Sequence, residues 1–180
     1  DFVNQSQALR AAGEAYEGGG LRLDAGTPLI KSEGLDIVRT LRSEFPDATI
    51  VADMKIMDAG RVEVETAAKA GADVVAVLGA ASDATIRECV EAGRSYDAQI
   101  MVDLIEVEDV VERAVQAQEM GAAIVGVHSP IDVQMEGGTP FAALASVANA
   151  VNIPVAVAGG INSETAAEAV ENGAAVVIVG

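Results

Sequence analysis

An apolar run meets a cluster of charges in the stretch Ala48-Thr49-Ile50-Val51-Ala52-Asp53-Met54-Lys55-Ile56-Met57-Asp58. The run has the length and β-branched content of a buried strand. The three charges in the next six residues predict that this strand opens into a site, because buried charges are costly unless they are paired or put to use. The two acids beside Lys55 favour its protonated form. A structural ion network at a strand end would give the same pattern, so both interpretations stay open here.

The same order of strand and helix repeats along the chain. Helical patterns fill the intervals between apolar runs that end near Asp24, Asp53, Gly79, Asp103, His128, Gly159 and Gly180. The first of these runs is a strand candidate over residues 21–30. The spacing fits a strand-plus-helix unit, and apolar strands that alternate with amphipathic helices indicate a parallel sheet covered by helices.

The repeat predicts a (β/α)₈ TIM barrel that occupies residues 1–180 as a single domain, a length within the range of one domain. Seven strands are visible, and Asp1 stands where an eighth would end. We therefore expect the first strand to precede Asp1 and the last helix to follow Gly180. A doubly wound open sheet is the alternative, which is less favoured because no Gly-x-Gly-x-x-Gly sequence follows the first strand.

Composition and charge argue against several classes of function. The net charge of −17 opposes binding to nucleic acid or to an anionic membrane, since both need clusters of Lys and Arg. No apolar run approaches the roughly 20 residues that span a bilayer, and no signal-peptide pattern opens the chain, so we expect a cytoplasmic protein. The lysine-poor, acidic composition predicts a salt-rich cytoplasm, such as that of a halophilic archaeon. The single cysteine, Cys89, excludes an intrachain disulfide.

Polar residues collect at the predicted carboxyl ends of the strands, which form the active face of parallel barrels. Asp24 and Asp53 follow neighbouring strands, and carboxylate oxygens suit a hard divalent cation such as Mg²⁺. Hydrogen-bonded carboxylates that cap the barrel are the alternative. His128 is the only histidine, and imidazole is the side chain that exchanges protons near neutral pH. A lone histidine after an apolar run is more often a core residue, but its place at a strand end favours a role in catalysis.

Glycines stand at the ends of the last two predicted strands. Gly159, Gly160 and Gly180 lack side chains, so their backbone N–H groups can approach an anion closely. The loops after strands seven and eight are the usual phosphate site of such barrels. Turns also need glycine for their own geometry, which leaves a purely structural role open.

Four stretches together carry a resemblance to a known family. They are Asp53-x-Lys55-x-x-Asp58, Asp24-Ala25-Gly26-Thr27-Pro28-Leu29-Ile30-Lys31-Ser32-Glu33-Gly34, Gly126-Val127-His128 and Val157-Ala158-Gly159-Gly160-Ile161. Over essentially the whole chain they resemble the orotidine-phosphate decarboxylase suprafamily. Within it they are more similar to the 3-hexulose-6-phosphate synthase branch than to the ketogulonate-phosphate decarboxylase branch.

The resemblance implies a Mg²⁺-dependent aldol condensation of formaldehyde with ribulose 5-phosphate, and its reverse, through an enediolate intermediate. It implies that Asp24 and Asp53 hold Mg²⁺, that Lys55 stabilises the developing negative charge, and that His128 moves the proton at the hydroxymethyl carbon. It further implies a catalytic role for Asp1, which would contact substrate and Lys55. Substrate contacts are implied at Asp103, Ala158, Gly159, Gly160 and Gly180.

Family members are dimers, so the resemblance also implies a homodimer in which Asp58 acts in the active site of the partner chain. Two positions depart from the usual family pattern: Asp24 stands where Glu is usual, and Ile56 stands where Thr is common. The shorter carboxylate of Asp24 sits further from the metal, which leaves a bridging water or weaker binding open.

Two other functions remain open at this stage. Decarboxylation of a 3-keto sugar-acid phosphate would use the same intermediate, and the charges at the strand ends do not separate it from the aldol reaction. A non-catalytic sugar-phosphate-binding module is the other possibility. Asp24 and Ile56 favour it weakly, whereas the complete Asp53-x-Lys55-x-x-Asp58 motif together with His128 opposes it.

Overall fold

The computed structural model describes residues 2–19, 22–136 and 138–179. Over these residues the chain is an α/β fold with seven parallel strands in one curled sheet, and nine helices. The strands are β1 (Arg22–Ala25), β2 (Thr49–Ile56), β3 (Val74–Leu78), β4 (Gln99–Asp103), β5 (Ile124–His128), β6 (Val155–Ala158) and β7 (Val176–Val177). The helices are α1 (Gln5–Glu17), α2 (Thr27–Glu33), α3 (Asp36–Glu44), α4 (Gly60–Ala70), α5 (Asp83–Tyr96), α6 (Val110–Met120), α7 (Ile131–Met135), α8 (Phe141–Ala150) and α9 (Ala166–Glu171).

The strands pair in chain order from β1 to β7, and each neighbouring pair is parallel. This order excludes the doubly wound sheet, in which the strand order reverses at a switch point. Asp1 and Gly180, which mark the ends of the expected barrel, lie outside the described residues. Among the described helices none is both long and apolar enough to cross a membrane.

Side chains that alternate along each strand form two apolar layers, because successive residues of a strand point to opposite faces. The outer layer packs against the helices and includes Ile50, Ala52, Val75, Val77, Ile100 and Val102. The inner layer lies within the curl of the sheet and consists of Val74, Ala76, Met101, Ile124 and Ala156. Asp103 follows Met101 by two residues and therefore faces the inside as well. The alternation thus directs the polar residues at the strand ends towards a common interior.

Two segments differ from the elements that the sequence pattern predicts. The strand candidate over residues 21–30 is wrong beyond Ala25, because residues 27–33 form α2. Pro28 lies in the first turn of that helix, where its fixed φ and missing N–H favour a helix start. The periodicity also does not predict α7, a helix of 5 residues that follows Pro130. Both helices come directly after strands whose ends line the site.

Candidate active site

A cavity of about 440 Å³ opens at the carboxyl ends of the strands. Strands β1, β2, β4, β5 and β6 contribute to its wall, as does the turn after β6. The predicted site residues that line it are Asp24, Asp53, Lys55, Asp103, His128, Ala158, Gly159 and Gly160. Most of the residues singled out from the sequence are therefore brought together in one place.

Strand β2 leaves its regular ladder at the charged residues. Ala52 pairs with Val75, so a regular ladder would pair Met54 with Val77, but Ile56 takes that place. Lys55 lies within this bulge with φ 47, in the left-handed region that costs a non-glycine residue roughly 1–2 kcal/mol. Bulges are frequent next to active sites because they redirect a side chain.

The Lys55 ammonium donates to two carboxylates from different strands. Its Nζ lies 2.7 Å from Asp53 Oδ2 and 3.3 Å from Asp103 Oδ2. Burial alone would lower the pKa of Lys55, but the charges and hydrogen bonds of Asp53 and Asp103 raise it above its usual value. The site therefore holds a fixed positive charge at neutral pH.

Asp103 connects this cation to the imidazole of His128. Its Oδ2 lies 2.9 Å from His128 Nδ1, and its Oδ1 accepts the Ile105 N–H at 2.9 Å. Burial would raise the pKa of Asp103, but the hydrogen bond and charge of His128, with help from Lys55, lower it below its usual value. Because an ionised carboxylate only accepts, the shared hydrogen belongs to Nδ1, and Nε2 is left for the cavity.

Asp53 is held by Thr27 on one side and has an unsatisfied oxygen on the other. The Thr27 hydroxyl lies 2.9 Å from Asp53 Oδ2 and 2.8 Å from the Asp53 carbonyl oxygen, and it donates to one of them at a time. Asp53 Oδ1 is buried and has no hydrogen-bond partner among the described residues. A buried carboxylate oxygen without a partner is costly, which favours a positively charged ligand at this position.

Asp24 is the second acid of the pair. Asp24 is exposed to solvent in the open cavity, but the protein around it limits its hydration. This desolvation, followed by the charge of Asp53, raises the pKa of Asp24 to about 7. A bound cation would relieve the burial and the repulsion that oppose ionisation of Asp24. Among the described residues no group of three or more His, Cys, Asp or Glu could hold a metal ion. Mg²⁺ commonly takes only one or two carboxylates with water and substrate oxygens, so this pair fits it.

The turn after β6 contains Gly159 with φ 96 and Gly160 with φ 71. Both values are in the region that L side chains rarely adopt. A Cβ on Gly159 would also lie 2.3 Å from the Ser129 carbonyl oxygen. The fold itself therefore demands glycine at residue 159, and a role in anion binding must rest on the place of the turn at the cavity.

Three predicted site residues are not among those that line the cavity. Asp58 is exposed and lies outside it, and Asp1 and Gly180 lie outside the described residues. Near Asp58, burial and then the Asp58 charge raise the pKa of Glu63. The structure of one chain thus leaves Asp58 at the surface, as a role in a partner chain would require.

Two polar residues of the cavity were not singled out from the sequence, Thr27 and Gln134. Thr27 comes three residues after Asp24, and its place within the strand-end segment is a signal that could have found it. Gln134 lies on α7, which the apolar periodicity does not reveal. Nothing in the local sequence marks it.

Charged residues at the carboxyl ends of a curled parallel sheet define a TIM-barrel-like α/β protein with its candidate site on the usual face. The chain belongs to the orotidine 5′-phosphate decarboxylase / HUMPS family, whose sequence model matches residues 1–180. This finding confirms the resemblance carried by the sequence motifs.

Known proteins similar to this chain agree with that assignment. The 3-hexulose-6-phosphate synthase of Staphylococcus haemolyticus (strain JCSC1435) is 41% identical over 100% of this chain and 86% of its own length. A crystal structure of 3-hexulose-6-phosphate synthase matches with a TM-score of 0.95 at 38% identity, covering 100% of this chain and 86% of that one. The 3-keto-L-gulonate-6-phosphate decarboxylase of Vibrio cholerae matches with a TM-score of 0.81 at 26% identity, covering 92% of this chain and 78% of that one.

Proposed function

We propose that the protein is an aldehyde-lyase of the hexulose-phosphate synthase type. It would catalyse the Mg²⁺-dependent aldol condensation of formaldehyde with ribulose 5-phosphate, and the reverse reaction. The observation that carries this proposal is the convergence of an acid pair, a fixed ammonium and an Asp–His pair in one cavity beside a glycine turn. The relatives named 3-hexulose-6-phosphate synthase support the choice of reaction.

Asp24 and Asp53 would hold the Mg²⁺ ion. The unsatisfied Oδ1 of Asp53 and the raised pKa of Asp24 support this assignment. When bound, the ion supplies positive charge that polarises substrate oxygens. Thr27 fixes Asp53 through its Oδ2 and so leaves Oδ1 for a ligand.

Lys55 and His128 would carry the chemistry on the substrate carbon. His128 Nε2 takes a proton from the hydroxymethyl carbon of ribulose 5-phosphate, and the released electron pair forms the bond to the formaldehyde carbon. The imidazolium then gives the proton to the former aldehyde oxygen, which becomes a hydroxyl group. Asp103 orients the imidazole and stabilises its charged form. The Lys55 ammonium stabilises the negative charge of the enediolate, a preorganised contribution of about 3–4 kcal/mol in comparable sites.

The backbone around Ala158, Gly159 and Gly160 would bind the phosphate group. The turn opens onto the same cavity as Lys55 and His128. One sugar phosphate could therefore place its phosphate group at the turn and its reacting carbon near Lys55 and His128. Gly180 and Asp1, which lie outside the described residues, remain proposed substrate contacts on the basis of the family pattern. Asp103 is proposed to contact a substrate hydroxyl as well as to hold His128.

We also propose that the domain over residues 1–180 belongs to a closed eight-stranded barrel. Strands β1 and β7 are the two edges of the described sheet. A second cavity of about 390 Å³ reaches from α1 across the inner face, and both edge strands line it. An eighth strand between these edges would satisfy their backbone groups and fill that apolar space.

A homodimer with Asp58 acting in the partner's site is proposed from the family pattern. The exposed Asp58 and the neighbouring Met57 and Val62, 55% and 62% exposed, offer a mixed polar and apolar surface for it. Mixing Lys55→Met with Asp58→Asn chains tests the idea. Equal amounts should regain about a quarter of wild-type activity, since half of the dimers are mixed and each has one intact site. No recovery after subunit exchange would contradict a shared site.

The test of the proposed function is turnover by the full-length protein. Formaldehyde release from hexulose 6-phosphate, and its consumption with ribulose 5-phosphate, should both require Mg²⁺ and stop with EDTA. The match to a ketogulonate-phosphate decarboxylase makes decarboxylation the comparison reaction. Release of CO₂ from 3-keto-L-gulonate 6-phosphate without formaldehyde turnover would favour the decarboxylase. Binding of ribulose 5-phosphate without turnover of any of these substrates would favour a non-catalytic module.

A further inference from the structure

The glycine turn after β6 is covered by a side chain from another segment, Gln134 on α7. A Cβ on Gly159 would lie 2.8 Å from Gln134 Nε2, and a Cβ on Gly160 would lie 3.3 Å from Gln134 Oε1. The carboxamide therefore occupies the space beside both glycines that side chains would otherwise take. Gln134 also lines the 440 Å³ cavity.

One hydrogen bond fixes the orientation of this carboxamide. Its Nε2 donates to the Ser129 carbonyl oxygen at 2.7 Å. Because a carbonyl oxygen only accepts, the nitrogen must be the atom on that side. Ser129 is itself anchored, since its N–H donates to the Ala158 carbonyl oxygen of β6. The amide is thus held in a defined position at the turn.

A primary amide carries two N–H donors, and Ser129 uses one of them. Among the described residues no acceptor is assigned to the second. Of the described residues that line the cavity, Lys55 is the one Lys or Arg, and its ammonium is engaged by Asp53 and Asp103. Among the described residues, the donors beside the glycine turn are therefore uncharged N–H groups, and Gln134 offers a side-chain donor next to the backbone ones.

We propose that Gln134 is a further residue of the phosphate site: it donates its second Nε2 hydrogen to the phosphate of the sugar substrate while the first holds Ser129. This inference rests on the proposed function, because it takes a sugar phosphate as the ligand of the cavity. The phosphate site would then consist of backbone N–H groups and one side chain from α7, which would contact the bound phosphate directly.

Two variants of the full-length protein separate this role from a structural one. Gln134→Met keeps the length of the side chain and removes its donors, and Gln134→Glu places a negative charge beside the phosphate. Met135→Glu is the matched control, because it adds the same charge one residue further on the same helix at a side chain that is 83% exposed. The readouts are the Kd for inorganic phosphate by calorimetry, and kcat and KM for ribulose 5-phosphate.

Loss of a hydrogen bond to a charged group predicts that Gln134→Met weakens phosphate binding about tenfold and raises KM similarly. Gln134→Glu should weaken both by more than about tenfold, since repulsion adds to the lost donor. For both variants kcat should stay within about threefold, since Lys55 and His128 are untouched, and Met135→Glu should match the wild type.

Unchanged phosphate affinity and KM in both Gln134 variants would overturn the inference. So would a loss confined to kcat and thermal stability, because the carboxamide would then only support the loop. A loss in Met135→Glu equal to that in Gln134→Glu would mean that any added negative charge on α7 weakens phosphate binding, which would also count against the inference. If wild-type protein binds neither inorganic phosphate nor ribulose 5-phosphate, the proposed function fails and this inference with it. Binding by the wild type that the Gln134 variants retain overturns this inference alone.

Discussion

Two networks of charged groups lie at opposite ends of the same strands, and they differ in how completely they are satisfied. At the amino ends of β2 and β3, Arg42 donates to the carbonyl oxygens of Gly71, Pro46 and Ala48 and to the carboxylate of Asp73. The same Asp73 oxygen accepts the Ile50 N–H at 2.7 Å. Arg42 and its carboxylate thus form a closed network that ties two loops to the sheet.

The network at the carboxyl ends is incomplete. Asp53 Oδ1 is buried without a partner among the described residues, and Asp24 holds a proton more tightly than an ordinary aspartate. Lys55 reaches its carboxylates from a left-handed backbone conformation. The carboxyl ends combine backbone strain with a buried unsatisfied oxygen, whereas the described residues at the amino ends show no buried side-chain atom without a partner. These are the physical signs that separate a binding site from a structural ion network. This contrast favours the functional interpretation of the charges after Ala52.

The contrast between the two networks is tested by removing the cation from each, beginning with Lys55. Lys55→Met should lower kcat about a thousandfold, because the preorganised charge at the enediolate is lost. Steady-state turnover of ribulose 5-phosphate with formaldehyde measures it. Lys69→Met is the matched control, since Lys69 is 62% exposed and contacts Glu65 and the ring of Tyr96 rather than the cavity. A Lys55→Met protein with near wild-type kcat would remove Lys55 from the chemistry.

The next effect concerns the link between Asp103 and His128. Asp103→Asn should lower kcat about a hundredfold, because the imidazolium loses its negatively charged partner. His128→Asn removes the imidazole itself and should cost at least as much. The double variant should be only slightly worse than His128→Asn alone, since Asp103 acts on the proton through His128 and only its contacts with Lys55 and the substrate hydroxyl remain to be lost. Strictly additive losses would show that Asp103 contributes mainly by another route, such as the predicted contact with a substrate hydroxyl.

Much of this site could be predicted from the sequence, because the ends of buried parallel strands can be recognised in it. Parallel strands are continuous apolar runs, so the residues that follow them, such as Asp53 and His128, are assigned to one face before any contact is known. The identity of the acids and of Lys55 then suggests the chemistry. The confirmed family adds the reaction that relatives are named for.

The remaining features depend on contacts that no local pattern encodes. Asp103 was placed at a strand end, but its hydrogen bonds to His128 and Lys55 join residues 25 and 48 positions away. The bulge at Lys55 depends on the pairing of β2 with β3, in which the register shifts by two residues between Ala52 and Ile56. Helix α7 has 5 residues, too few for a periodic apolar face, so Gln134 stays hidden in the sequence.

The variant Arg42→Met removes the cation from the network at the amino ends of the strands. Loss of the Arg42 bonds should lower the free energy of unfolding by about 1–2 kcal/mol, less than for a buried pair because the Asp73 side chain is 49% exposed. Urea unfolding measures this change. Arg39→Met is the control, because Arg39 pairs with Asp36 at the surface and should change stability very little. The kcat per folded molecule should stay at the wild-type value, and a large loss of kcat would mean that the two ends are coupled.

The last prediction concerns the pH dependence that Asp24 gives to the stability of the metal-free protein. In the folded state the pKa of Asp24 is about 7, above its ordinary value of 3.8. The folded chain therefore binds this proton more tightly than the unfolded chain, and stability falls as pH rises from about 4 to about 7. Asp24→Asn carries no charge and should escape this loss.

Urea unfolding in EDTA at pH 5 and pH 8 checks the sign, with Asp47→Asn as a control at an exposed acid. Relative to the wild type, Asp24→Asn should be more stable at pH 8 than at pH 5, and Asp47→Asn should show no such difference. Mg²⁺ at pH 8 should stabilise the wild type and leave Asp24→Asn unchanged, because a bound ion would balance the charges of Asp24 and Asp53 and the variant lacks one of these carboxylates. A difference between wild type and Asp24→Asn that is the same at both pH values would mean that Asp24 is already balanced by protein groups, and the carboxyl-end network would then resemble the closed one around Arg42.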